Sequence, residues 1–73
     1  MKNKYRICIS SPPDRDNLIA EIFFGDNQLA EINQEKGLFE IEFYPRSDGK
    51  LWQIDLFSVI NALNEAKVKL KEK

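Results

Sequence analysis

Between Leu18 and Tyr44 the chain runs LIAEIFFGDNQLAEINQEKGLFEIEFY, and each of its three apolar runs carries a glutamate directly before an isoleucine. These are Ala20-Glu21-Ile22, Ala30-Glu31-Ile32 and Phe39-Glu40-Ile41, separated by breaks at Gly25-Asp26-Asn27 and Glu35-Lys36-Gly37. Successive side chains of a strand point to opposite faces, so a hydrophobic period of two with Gly-containing breaks predicts an antiparallel meander. This stretch is the expected core of the fold.

Hairpin register follows loop length. A turn at Gly25-Asp26-Asn27 puts Glu21 opposite Glu31 and Phe23 opposite Leu29. Ala20, Ile22, Phe24, Ala30, Ile32, Phe39, Ile41 and Phe43 then share one face, the expected core face. The other face collects Ile19, Glu21, Phe23, Leu29, Glu31, Asn33, Leu38, Glu40, Glu42 and Tyr44, of which Glu21, Phe23, Leu29, Glu31, Glu40, Glu42 and Tyr44 are the candidate contacts. Like charges opposite one another across strands are destabilising. A row made of Glu21, Glu31 and one of Glu40 or Glu42 is therefore a candidate binding feature. Glutamates on a solvent-facing sheet also keep a small protein soluble, which is the plain alternative. Acid interleaved with Phe23, Leu29 and Tyr44 reads better as a contact surface, because exposed apolar patches mark interaction sites.

With 73 residues the chain has room for one core, so residues 1–73 are read as a single domain. Two layers are the natural limit at this size, and one helix on one sheet leaves a sheet face open. The net charge of −1 hides segregation: +3 over residues 1–15, −6 over 16–49 and +2 over 50–73. Such asymmetry can steer a partner of opposite charge. An acidic meander argues against nucleic acid on that surface, where a basic face with aromatics is expected. No run approaches the roughly 20 apolar residues that span a bilayer, and no signal-peptide core is present. A cytoplasmic location with no membrane contact is expected.

Residues 4–10, KYRICIS, alternate and predict a first strand, at the sheet edge beside residues 18–24. The Pro12-Pro13 loop follows, since consecutive prolines remove donors and fix φ. Further strands are expected at about 18–24, 28–34 and 38–44, and residues 50–54, KLWQI, are a candidate fifth. Trp52 reads as a plug at the junction of sheet and helix. Asp55 is a suitable helix N-cap, and Leu56, Val59, Ile60, Leu63, Ala66 and Leu70 recur at steps of three and four. A helix over about 55–71 is expected to bury that stripe. The predicted class is thus α+β: a four- to five-stranded antiparallel β-meander with one C-terminal α-helix packed on one face.

No catalysis, metal or cofactor is expected. The chain has no histidine and a single cysteine, Cys8, so the usual nucleophile-base pairs and mixed His/Cys metal sites are missing. Its three glycines are scattered, with no phosphate-cradling loop. A protein partner remains, met by a monomer or weak homodimer.

The run Ser11-Pro12-Pro13-Asp14-Arg15, the repeated Ala-Glu-Ile, Tyr44-Pro45, Gly49 with Trp52, and the closing amphipathic helix together resemble small bacterial immunity-type proteins of contact-dependent or polymorphic toxin systems. The resemblance covers most of the chain in layout. It implies a cytoplasmic inhibitor of a cognate toxin domain, often a nuclease. It assigns no site residue, so the candidate contacts come from the face pattern alone. A nuclease presents a basic cleft to phosphates, which an acidic patch with aromatic anchors could plug. A homo-oligomeric structural module is the alternative.

Overall fold

The computed structural model describes residues 4–14 and 16–72. Lys2 and Arg15, which contribute to the charge pattern and to the Ser-Pro-Pro-Asp-Arg run, lie outside them. Among the described residues, strands β1 (Tyr5–Ser10), β2 (Ile19–Phe24), β3 (Asn27–Asn33) and β4 (Glu40–Phe43) precede one helix, α1 (Leu56–Lys71). The strands form a single antiparallel sheet in sequence order, so β1 and β4 are its edges. The expected α+β meander with a C-terminal helix is the observed fold.

Alternation places Tyr5, Ile7, Ile9, Ala20, Ile22, Ala30, Ile32, Ile41 and Phe43 on the helix side of the sheet: Ile7 pairs with Ile22, Ile22 with Ala30 and Ala30 with Phe43. The buried core joins Ala20, Ile22, Phe24, Leu29, Ala30 and Ile32 to Ala62, Ala66 and Leu70 of the helix. Asp55 caps that helix, its carboxylate accepting from the Ser58 amide at 2.9 Å and from the Ser58 hydroxyl at 3.1 Å. The orphaned first-turn amides are what make such a cap favourable.

Three expectations need correction. The first hairpin turns on only two residues, Gly25 and Asp26, because Phe24 pairs directly with Asn27. Gly25 has φ +61°, which a primed hairpin turn requires at its first central position. The tighter turn pairs Phe23 with Gln28, and a bulge then restores the register to Ile22–Ala30. Leu29 is the extra residue. It is buried in the core cluster and does not stand opposite Phe23.

Residues 50–54 form no fifth strand. The Trp52 indole Nε1 donates to the Tyr44 carbonyl at 2.8 Å, and Trp52 and Ile54 pack against the core. The segment is thereby held as a side-chain-anchored connector rather than as a ladder.

The helix stripe also divides, and the buried face takes in Ser58 and Ala62, which lie off it. Ser58, Ala62, Ala66 and Leu70 are buried, Val59 and Leu63 are partly buried, and Leu56 and Ile60 are exposed. Small residues at Ala62 and Ala66 let the helix approach the sheet closely over β1 and β2, the strands it packs against. A helix is about 10 Å wide and strands lie about 4.8 Å apart, so one helix covers roughly two strands. The helix side of β4 stays open.

Candidate functional site

The strand register assembles the acidic row directly. Glu21 stands opposite Glu31, and Glu31 opposite Glu42, while Glu40 stands opposite Asn33. Glu42, not Glu40, completes the row. Its members sit in different surroundings, however. Glu31 is only 5% exposed, and its Oε1 accepts from the Tyr44 hydroxyl at 2.8 Å. Asn33 donates from Nδ2 to Glu42 at 3.4 Å. Glu40 lies 3.9 Å from the Lys36 ammonium, an exposed pair four residues apart. Such surface pairs contribute little and open readily.

The aromatic positions divide in the same way. Phe23 is half-buried beneath Arg6, whose guanidinium lies 4.5 Å from the ring centroid. Tyr44 is half-buried, and its backbone amide donates to the Leu29 carbonyl at 2.8 Å. Of the seven expected contact residues, the structure leaves Glu42 exposed on this face, with Glu21, Phe23, Glu40 and Tyr44 half-buried; Leu29 and Glu31 are buried.

One end of the acidic face is closed by the protein's own chain. Glu35 accepts from the amides of Asp16 and Asn17, at 2.9 and 3.1 Å, and so ties the loop before β2 to the turn after β3. Ile19 and Asn33, at that end of the face, are buried. The expectation of a wholly open sheet face is corrected on this point. Asp16 and Asn17, just before β2, make this tie.

The larger accessible apolar surface lies on the helix side of β4. Phe39 is 43%, Ile41 38% and Phe43 61% exposed, although the alternation marks all three as core. Beside them a groove of about 250 Å³ runs between β4 and α1, lined by Ile32, Phe39, Glu40, Ile41, Leu63, Asn64 and Lys67. Ile60 and Leu63 share a helix flank with Lys67, at steps of three and four, and Leu56 lies one turn earlier. Sequence reasoning missed this site because it assumed that the helix spans the whole sheet. The signal that could have revealed it was arithmetic, since four strands are wider than one helix.

β4 therefore joins two chemistries on one short element: Glu40 and Glu42 toward one face, Ile41 and Phe43 toward the other. Among the described residues no group of histidine, cysteine, aspartate or glutamate side chains is placed to hold a metal ion, and no helix is long and apolar enough to cross a membrane. Compared with protein-family models, curated proteins and solved structures, the chain matches none of them.

Proposed function

We propose that the chain is a non-catalytic binding protein, an immunity-type inhibitor that meets a basic toxin domain in the cytoplasm. The observation that carries this reading is the amphipathic β4 edge. Glu40 and Glu42 lie on one face and the exposed Phe39, Ile41 and Phe43 beside the other. Carboxylates of one sign accelerate encounter with a cationic surface, and desolvated aromatic anchors slow dissociation. A nuclease cleft is one such surface, since it must attract phosphates. Glu21 and Tyr44 extend the acidic rim, with Glu31 holding Tyr44 in place rather than meeting the partner itself.

Growth rescue tests this reading. The chain is co-expressed with the polypeptide encoded immediately upstream of its gene, and survival is compared with that polypeptide alone. Restored growth together with a stable one-to-one complex is the expected result. An upstream product without toxicity, or growth arrest undiminished by the folded chain, overturns it.

A further inference from the structure

We infer that the outer edge of β4 accepts an extended segment of the partner as a fifth strand, and that this segment alternates basic with apolar side chains. The inference rests on the binding reading above and adds the geometry and chemistry of recognition.

β3 and β4 pair antiparallel, Glu31 opposite Glu42 and Ile32 opposite Ile41, and the Tyr44 amide bonds to the Leu29 carbonyl. Hydrogen-bonded and non-bonded pairs alternate along an antiparallel ladder. Counting back from Tyr44, Glu42 and Glu40 direct their amides and carbonyls toward β3. Ile41 and Phe43 direct theirs outward, away from the sheet. An edge of this kind is a template for strand addition.

Parity then dictates the side chains. A residue bonded to Ile41 or Phe43 lies on their face, over the groove between β4 and α1, where Phe39 and Leu63 supply apolar contact. Apolar residues fit there. The intervening residues of the added strand fall on the other face, opposite Glu40 and Glu42. Lysine or arginine fits there, since opposite charges across strands are favourable.

The same charges disfavour a second copy of the chain as the occupant. Two β4 strands related by a two-fold axis set Glu40 against Glu42, or Glu42 against itself, while the register that pairs Phe43 with itself sets Ile41 against Pro45, which has no N–H to donate. The outer edge of β1 differs in character, because it carries Lys4 and Arg6. It would select against the same basic segment.

The test uses the full chain and the heptapeptide Lys-Val-Lys-Val-Lys-Val-Lys, read by fluorescence anisotropy and amide chemical shifts. Two further peptides carry N-methyl groups, one on the valines and one on the inner lysines. Valine amides are those bonded to Ile41 and Phe43, so their methylation is expected to weaken binding by about tenfold or more. Lysine methylation is expected to leave binding unchanged. Glu40→Lys with Glu42→Lys is expected to transfer preference to the Glu-Val heptapeptide, a gain that only a folded variant can show. Equal binding of both methylated peptides, or amide shifts clustered on β1, overturns the inference. Rescue that persists undiminished with the double variant also overturns it, while leaving the proposed function standing. Peptide results as expected with no growth rescue support the strand edge and remove the toxin as its partner.

Discussion

A carboxylate in this protein does what its neighbours dictate. Glu31 and Glu42 face each other across β3 and β4, yet Glu31 is buried and bonded to Tyr44 whereas Glu42 is exposed. Reversing charge at Glu31 would force an ammonium into a closed site, so it reports on folding before binding. Asp48 gives a cleaner readout. Arg46 donates to both of its oxygens, at 3.0 and 2.7 Å, and the Lys50 amide donates at 3.0 Å. The Arg46 hydrogen bonds, then the Lys50 amide, lower its pKa from 3.8 to about 2. A folded-state pKa below the unfolded one favours the native state above the unfolded value. That stabilisation is present above about pH 4 and is lost as pH falls toward 2. A carboxyl-carbon NMR titration should place the Asp48 midpoint near 2 in the native chain and return it toward 3.8 in Arg46→Ala. Both midpoints near 3.8 would show that the 45–50 turn is not held as described.

At the scale of elements, the deciding fact is where α1 sits across the sheet. Ala62 and Ala66 are fully buried between helix and strands, while Leu56, which the expected stripe joins to Ala66, is exposed. Ala62→Leu is expected to cost about 1–3 kcal/mol, because extra methylenes in a packed contact force the elements apart. Leu56→Ala is expected to change stability by less than about 0.5 kcal/mol, as exposed substitutions do. Urea denaturation of both variants checks this, and a reversed order would move the helix to the stripe that periodicity alone selects. The elements themselves were legible. Alternation located all four strands, Asp55 marked the helix start, and the core face was assigned correctly for Ala20, Ile22, Ala30 and Ile32. The bulge at Leu29 was not legible, because it depends on a two-residue turn whose register is corrected only by packing further along the hairpin.

At the scale of the molecule, a four-stranded sheet under one helix has to leave something open, and here that is β4. Its openness carries an aggregation risk that two devices limit: the strand is only four residues long, and it bears two glutamates. Neutralising them removes one device. Glu40→Gln with Glu42→Gln is expected to promote self-association through β4, read as a dimer by sedimentation equilibrium at micromolar concentration, where the native chain is expected to sediment as a monomer. A native chain that dimerises through β4 would refute the charge argument. The acidic face as a whole was a weaker guide than the sequence pattern suggested, since the loop tied down by Glu35 closes one end of it.

Local rules sufficed for the elements and their faces: a period of two, glycines where the chain must turn, an aspartate to cap a helix, and steps of three and four. Each acts over a few residues, so the amino-acid order alone determined them. The placement of the helix over β1 and β2 rests on contacts between residues far apart in the chain, such as the Tyr5 hydroxyl donating to Glu65 at 2.9 Å and the close fit of Ala62 and Ala66. Sideways position has no periodic signal, because any pair of adjacent strands presents the same alternating face. Tertiary packing alone decided which strand was left uncovered, and with it where the glutamates and the exposed phenylalanines meet.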